Sequence, residues 1–386
     1  MKSKLSAVKF IRNNKKQVWV MIIALALTFM AMYIINFLFL ATKESFNTLF
    51  LEQPKRMACL MLTPGTMGVE KEDFASEEGY NQAIEKARAN VIAGIKGHEG
   101  IRDAANVQML SVNYQGIAGS VGCMFPLFSK EQIPQYIQHM GAKLIEGKMP
   151  QGPGEILVHE KILKNGKMKV GGYFEESTYG QTFRVAGVLE SDYMVCVGTP
   201  RGYTNSGWYI VVLCNAENSN MVKVLHDIGI TPTEYDAVYD TEKWADTYRE
   251  LVAGQLDAVV LGILVVVIIF LAISILVAYI SFMRSRVYEY CLYASIGFGR
   301  REIYGMIMRE IFLIFGISIL LGAAVTVFIM ALLGKSVLEP MGLLYKYFYP
   351  KHLLRILTAF AAIIGILQIP VSVTVNSIKT IDRIEE

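Results

Sequence analysis

The charged residues whose spacing could do work lie in one short segment, Arg284–Glu310, between two long apolar runs. Its charges are Arg284, Arg286, Arg300, Arg301 and Arg309, with Glu289, Glu302 and Glu310 among them. The turn at Gly297-Phe298-Gly299 divides it into two short amphipathic helical pieces. Ion pairs and apolar contacts with another protein are the chemistry that such a surface can perform. We therefore predict a cytoplasmic bridge that is held by a partner.

Catalytic signatures are absent from the sequence. It contains no GxxxxGK[ST], GxSxG or HExxH, and no GxGxxG in a strand–helix setting. The nearest approach to a phosphate loop, at 141–149, has its glycines one residue too far apart and Met149 in place of Ser or Thr. The 5 histidines are scattered and the 5 cysteines form no CxxC or metal spacing. We expect a mechanical or binding component without catalysis, and with no cofactor or metal of its own.

The composition indicates a protein that is partly in the bilayer and partly in water. Of its 386 residues, 53% are hydrophobic and 18% are charged, and the mean hydropathy is +0.38. The net charge of +3 is close to neutral for a chain of this length, so we do not expect nucleic acid as a partner. The predicted fold class is an α+β membrane protein. Four transmembrane helices are expected, with a large mixed α/β extracytoplasmic domain inserted between helices 1 and 2.

The apolar runs and their basic flanks predict a topology with both termini in the cytoplasm. Lysines in the outer loop between the third and fourth helices oppose this orientation, but the basic N-terminus and the arginines of the bridge outweigh them. The predicted segments are an amphipathic N-terminal helix (1–16), the first transmembrane helix (17–42), the extracytoplasmic domain with its stalk (43–257), the second helix (258–283), the bridge (284–303), the third helix (304–334), an outer loop (335–355), the fourth helix (356–378) and a cytoplasmic tail (379–386).

Two local questions stay open at this point. Segment 1–16 is either an interfacial helix, which we favour, or a disordered basic tail that orients the next helix. The outward-facing cysteines Cys59, Cys123, Cys196 and Cys214 either include one disulfide, for which Cys196–Cys214 is a candidate pair, or are unpaired buried thiols, which we favour. Cys291 lies in the bridge.

Three stretches carry a resemblance to a known family. In the bridge, an Arg and a Glu precede a leucine–alanine–x–glycine segment, and a Glu follows in the third helix. These residues are Arg286, Glu289, Leu292, Ala294, Ile296, Gly297, Arg300, Arg301, Ile303 and Glu310. The outer stretch LIEGKMPQGPGEILVHEKILK and the closing Pro370 with Ser377–Asp382 complete the pattern. The sequence resembles the MacB/FtsX permeases of ABC transporters, the type VII or mechanotransmission group. Tyr290 stands where many members have glycine or isoleucine, and 55–128 matches nothing in the family pattern.

The resemblance implies partners and roles. Such permeases pair, as two copies or with a paralogous permease, around separate ABC ATPase subunits that hold ATP and Mg. The bridge is then the coupling helix, and its implied docking residues here are Arg286, Glu289, Tyr290, Tyr293, Ile296, Gly297, Arg300 and Arg301. Glu310 is implied as a contact that fixes the bridge. Membrane lipid and an extracytoplasmic protein are further expected partners, and the expected location is the bacterial cytoplasmic membrane.

Simpler interpretations compete with these roles. The arginines could serve only as the positive-inside signal, although this would not explain the glycine break or the tyrosines of the bridge. Glu310 could be only a polar residue near a helix start. Three functions are weighed: a permease that exports or extracts a peptide, lipid or hydrophobic drug; an FtsX-like regulator that switches a cell-wall hydrolase or sensor without transport; and a receptor without an ATPase.

Overall fold

A computed structural model of the chain describes residues 11, 14–49, 56–117, 119–176, 180–202, 209–215, 220–240, 246, 250 and 255–378. Most of the predicted N-terminal helix (1–16), most of the stalk expected at 241–255 and the tail (379–386) lie outside these residues. The chain divides into two compact units. The helical unit is Met1–Leu40, Ala258–Lys335 and Lys346–Glu386, and the sheet unit is Ala41–Asp257 and Ser336–Tyr345.

The described residues begin with one long helix, continue through strands and shorter helices, and end with helices only. In chain order they are α1 (Lys15–Leu49), β1 (Met57–Met61), α2 (Glu77–Lys96), β2 (Ile101–Gln115), β3 (Ser120–Leu127), α3 (Ile133–His139), β4 (Lys143–Gly147), β5 (Glu155–His159), α4 (Glu160–Asn165), β6 (Tyr173–Glu175), β7 (Thr182–Glu190), β8 (Val197–Gly198), β9 (Tyr209–Cys214), α5 (Met221–Asp227), β10 (Ala237–Tyr239), α6 (Gln255–Arg284), α7 (Val287–Ser295), α8 (Arg300–Leu333) and α9 (Pro350–Ser377).

Among the described residues, four helices are long and apolar enough to cross a membrane, as the sequence predicts. Their candidate spans are Lys15–Leu49, Val265–Arg284, Arg300–Leu338 and Pro350–Ser377. Several boundaries differ from the prediction, and the first helix continues to Leu49 rather than ending at Thr42. The fourth helix begins at Pro350 rather than Ile356, because proline is well suited to the first helical turn, where its missing N–H is not needed. The third helix begins at Arg300 rather than Tyr304.

The helical unit is held together by one close helix contact and an aromatic cluster. A side chain at Gly322 of α8 would lie 2.9 Å from the carbonyl oxygen of Ala26 on α1, so only glycine permits this approach. The ring of Phe360 on α9 lies 6.0 Å from Phe29 and 5.9 Å from Phe315 between ring centroids. The sequence has two motifs of small residues four apart, Ser318-xxx-Gly322 and Ala361-xxx-Gly365. A Cβ added at Gly365 would meet nothing within 4 Å.

The sheet unit is a mixed α/β domain built on a 10-stranded sheet. The strand order is β10-β1-β9-β2-β3-β8-β5-β7-β4, and β6 pairs with β7. The 15-residue strand β2 serves both halves of this sheet. Its first half, from Ile101 to Val107, pairs with β9, and its second half, from Gln108 to Gln115, pairs with β3.

Strands β1 and β9 are buried on both faces, so alternate residues enter two different cores. Met57 and Cys59 of β1 pack in the core that contains α3. Ala58 and Leu60 of the same strand pack in the core covered by α2 and α5. Because successive side chains of a strand point to opposite faces, one strand closes both cores.

The five cysteines are free and buried in the structure. The thiols of Cys196 and Cys214 are therefore not joined, in agreement with the buried-thiol alternative. Burial raises the pKa of Cys59 and of Cys196 to about 12, so both remain protonated at neutral pH.

Candidate functional site

The bridge folds as the short helix α7, followed by a tight turn into α8. Gly297 has φ of 91°, the left-handed conformation that glycine adopts most readily. The N–H of Phe298 donates to the carbonyl of Tyr293 at 3.1 Å, and that of Gly297 donates to Ala294 at 3.0 Å. This pair of bonds is a Schellman cap, and the ring of Phe298 packs edge-on against Tyr293. The helix break predicted at Gly297 is thus present.

The start of α8 is capped on the other side of the same turn. The carboxylate of Glu302 accepts a hydrogen bond from the backbone N–H of Gly299 at 2.9 Å. A negative charge in the first turn also suits the positive end of the helix dipole. Both ends of the turn are capped, so α7 is held at a defined angle to α8.

Arg286, at the corner between α6 and α7, forms a buried ion pair with Glu310 of α8. Nη1 of Arg286 donates to both carboxylate oxygens of Glu310, at 2.9 and 3.0 Å. Only 2% of the Arg286 side chain and 0% of the Glu310 side chain are exposed. Nε of Arg286 lies 3.4 Å from Glu289, whose side chain is 40% exposed. This places Glu310 in contact with the bridge.

Two aromatic rings enclose the Arg286 guanidinium. Its central carbon lies 5.1 Å from the ring centre of Phe282 and 5.0 Å from that of Tyr290. Cation–π attraction is stronger where the groups are desolvated, as here. Tyr290 itself is 0% exposed, and its burial raises the pKa of the phenol, opposed by the nearby Arg286 charge. These contacts fix α7 against α6 and α8.

The solvent-facing side of α7 is an apolar stripe. Tyr288, Leu292 and Ile296 are 68%, 42% and 63% exposed. Residues four apart lie on one helix face, so the three side chains form a continuous strip. Arg300 and Arg301 are also exposed at the start of α8. We call these five residues the docking strip.

The structure divides the residues predicted to dock into two groups. Arg286 and Tyr290 are buried within the helical unit, so their side chains hold α7 in place and do not reach a partner surface. Ile296, Gly297, Arg300 and Arg301 are exposed, whereas Glu289 and Tyr293 are partly buried. Sequence reasoning gave docking roles to Tyr290 and Tyr293 and none to Tyr288 or Leu292. The i, i+4, i+8 spacing of Tyr288, Leu292 and Ile296 was the signal for the exposed face.

The arrangement offers a buried ion pair on one side of α7 and exposed apolar and basic side chains on the other. Among the described residues, no group of three or more His, Cys, Asp or Glu is placed to hold a metal ion. The charged groups in the centre of the site neutralise one another, and the apolar stripe faces outward. The site is therefore suited to contact another protein.

The carboxy-terminal part of the chain matches a known family model. Residues 261–382 match the model described as FtsX-like permease C-terminal. The comparison with curated proteins finds no match. The matched range contains α7, the docking strip and the Arg286–Glu310 pair.

Two solved structures are similar to this chain. One is the periplasmic region of MacB from Actinobacillus actinomycetemcomitans, with 13% identity, a TM-score of 0.27, and coverage of 50% of this chain and 92% of that one. The other is the extracellular domain of the noncanonic ABC-type transporter YknZ from Gram-positive bacteria, with 15% identity, a TM-score of 0.27, and coverage of 48% and 100%. At these TM-scores the similarities carry no argument about activity. The family model supports the resemblance of this chain to the FtsX-like permeases over residues 261–382.

Proposed function

We propose that the chain is the membrane-spanning permease subunit of an ABC transporter and that α7 is its coupling helix. The observation that carries the proposal is the two-sided construction of α7. One side is fixed by the buried Arg286–Glu310 pair, and the other presents the docking strip to solvent. A helix that only joined two membrane spans would need neither feature.

The buried side of α7 is suited to transmit a displacement that a docked ATPase subunit would cause. Arg286 lies at the end of α6 and contacts Glu310 of α8 through two hydrogen bonds. A displacement of α7 therefore acts on both helices at once. Charge-assisted hydrogen bonds define geometry more strictly than apolar packing. ATP hydrolysis would occur in the separate ATPase subunit, which also holds Mg.

The sheet unit is proposed to lie outside the cytoplasm and to respond to this movement. It would be an extracytoplasmic domain inserted between the first and second transmembrane helices, in a bacterial cytoplasmic membrane protein with both termini inside. Pairing with a second permease would complete the machine. Export or extraction of a peptide, lipid or hydrophobic drug is the proposed activity.

The experiment is affinity purification of the full chain from its native membrane in mild detergent, with identification of co-purifying proteins. An ATP-binding subunit is expected. The matched variants are Leu292→Glu against Leu292→Met, and Arg300→Glu/Arg301→Glu against Arg300→Lys/Arg301→Lys. The charge-changing members should lose the ATPase, whereas the conservative members should keep it, because they preserve the apolar surface or the positive charge.

The outcomes separate the competing functions. Absence of any ATPase from the wild-type preparation would overturn the permease proposal and favour a receptor. A cell-wall hydrolase recovered together with the ATPase, without transport in reconstituted vesicles, would favour the FtsX-like regulator. Retention of the ATPase by both charge-changing variants would refute the docking role of the strip.

A further inference from the structure

The connection between α8 and α9 is part of the sheet unit. Residues Ser336–Tyr345, here called the junction loop, group with Ala41–Asp257 and not with the helices that flank them. Leu338 and Leu343 are 0% and 4% exposed, so the loop buries two apolar anchors. The sequence predicted 335–355 as one outer loop. Residues 336–345 of this predicted loop group with the α/β domain.

Asn165, the last residue of α4, joins the junction loop to the end of β2. Its side-chain oxygen accepts from the backbone N–H of Gln115 at 2.7 Å, and its amide nitrogen donates to the carbonyl of Gln115 at 2.8 Å. The same nitrogen donates to the carbonyl of Met341 at 2.8 Å. Both amide hydrogens and the oxygen are thus used.

Tyr114 and Lys161 both lie close to Gly342 of the loop. The hydroxyl of Tyr114, a residue of β2 that is 3% exposed, donates to the carbonyl of Gly342 at 2.9 Å. A Cβ on Gly342 would lie 2.5 Å from the carbonyl oxygen of Lys161 in α4. Gly342 also has φ of +68°. Because the obstructing atom belongs to the backbone, only glycine fits here.

The far end of α1 contacts the same loop. Oγ of Ser45 accepts from the backbone N–H of Leu344 at 2.6 Å and lies 3.3 Å from the carbonyl of the same residue. Ser45 is 0% exposed. One helical turn earlier, Oγ1 of Thr42 accepts from the N–H of Ile117 in the β2–β3 turn at 3.2 Å. The loop, α1 and the β2–β3 hairpin therefore meet at one junction.

The junction loop is a further covalent connection between the helical unit and the sheet unit. The chain leaves and re-enters the helical unit at Lys335–Ser336 and Tyr345–Lys346, in addition to the connections at Leu40–Ala41 and Asp257–Ala258. Ordering a ten-residue connection costs conformational entropy, which the contacts of the loop must offset. Here at least four hydrogen bonds and two buried leucines hold it.

We propose that the junction loop passes movement of α8 and α9 to the β2–β3 hairpin, and that Tyr114, Asn165 and Gly342 are the positioning residues that keep it seated. The inference rests on the proposed function for the source of the movement. The seating of the loop can be measured without it. Released from this seat, the loop would let α8 and α9 move without displacing the hairpin.

The experiment measures hydrogen–deuterium exchange of the full chain, purified with its ATPase, with and without ATP and vanadate. In the wild type, the amides of Leu343 and Leu344 should be protected, because they bond to Leu338 and Ser45. Gly342→Val should raise their exchange rate about tenfold or more. It should also abolish the nucleotide-induced change in exchange over 108–127, while ATP hydrolysis continues.

Gly68→Val is the matched control. Gly68 has φ of +75° and nothing within 4 Å, so the variant carries the same backbone strain without a collision at the junction. It should leave the junction loop protected and the nucleotide response intact. Tyr114→Phe, which removes a single hydroxyl, provides a milder release of the loop if Gly342→Val does not fold.

Each result decides one part of the inference. Rapid exchange of Leu343 and Leu344 in the wild type would overturn the seating of the loop. An unchanged nucleotide response in Gly342→Val or Tyr114→Phe, despite faster loop exchange, would overturn transmission through it. Recovery of the wild type without an ATPase would remove the proposed function and transmission with it, whereas loop protection would still support the seating.

Discussion

Both carboxylate oxygens of Glu310 accept hydrogen bonds from one nitrogen of Arg286, although the two residues are 24 positions apart in the chain. The pair connects the corner between α6 and α7 to the third turn of α8. Its burial makes it sensitive, because removal of one partner leaves an uncompensated charge.

Replacement of Glu310 by Gln should therefore destabilise the helical unit. The expected loss is about 3–5 kcal/mol, since the Arg286 charge would remain buried without its counter-charge. Thermal unfolding of the purified chain in detergent measures it. Arg309→Gln, on the exposed neighbouring position, is the control and should change stability by less than about 0.5 kcal/mol.

A double replacement tests what the ion pair contributes beyond stability. Arg286→Met with Glu310→Met should recover most of the stability lost in Glu310→Gln, because an apolar pair of similar volume needs no desolvation of charge. The nucleotide-induced change in the sheet unit should nevertheless weaken. Full recovery of both properties would mean that the pair has only a packing role.

Gly297→Ala should destabilise the turn between α7 and α8. The φ of 91° at this position costs an alanine about 1–2 kcal/mol. Gly297→Pro should be more severe, since it also removes the N–H that donates to Ala294. The matched control is Gly305→Ala, inside α8 with nothing within 4 Å, which should instead stabilise by about 0.5–1 kcal/mol. Equal effects of the two alanines on thermal unfolding would contradict the Schellman cap.

Gly322 and Gly365 offer a matched comparison inside the apolar helices. Gly322→Val should separate α1 from α8, because the added Cβ would meet the Ala26 carbonyl at 2.9 Å. Gly365→Val adds the same side chain where nothing lies within 4 Å. The expected costs are about 1–3 kcal/mol for the first and distinctly less for the second. Similar melting temperatures for both variants would place the close helix contact elsewhere.

Asp236 should make the sheet unit sensitive to acid. Burial alone would raise its pKa, but hydrogen bonds from the hydroxyls of Thr66 and Thr233 and from the backbone N–H groups of Thr233 and Thr63 lower it to about 2. The unfolded value is about 3.9. A group with a lowered folded pKa stabilises above its unfolded pKa, and this contribution disappears as the pH falls through the folded value.

The measurement is urea unfolding of wild type and Asp236→Asn at several pH values. At pH 7 the variant should lose about 1–3 kcal/mol, because hydrogen bonds to a charged acceptor are replaced by weaker ones. The difference should shrink between about pH 4 and pH 2. A difference that does not change over this range would show that Asp236 does not titrate as described.

The buried thiols give a chemical test of the fold. Burial holds the pKa of Cys59 and Cys196 at about 12 and raises that of Cys123 as well, so these thiols should not react with maleimide at pH 7 in the native chain. After denaturation without reductant, all five cysteines should be alkylated. Alkylation of only three would instead reveal a disulfide, with Cys196–Cys214 the first pair to examine.

Sequence reasoning performed well where the signal is local. Hydropathy alone located four apolar helices, since a long run of apolar residues fits only a membrane-sized helix. Gly297 marked the helix break, because the left-handed conformation favours glycine whatever the surroundings. Hydropathy also placed the start of the fourth helix at Ile356. The helix begins at Pro350, because proline favours the first turn of a helix.

The amino-acid sequence by itself determined the class of the protein, the positions of its apolar helices and the segment that carries the bridge. Only the tertiary structure decided that Arg286 and Tyr290 point inward, that Glu310 meets Arg286, that Gly322 and not Gly365 is a close helix contact, and that 336–345 belongs to the α/β domain. The physical reason is that these outcomes depend on which side chains distant parts of the chain bring together. Local periodicity and conformational preference do not contain that information.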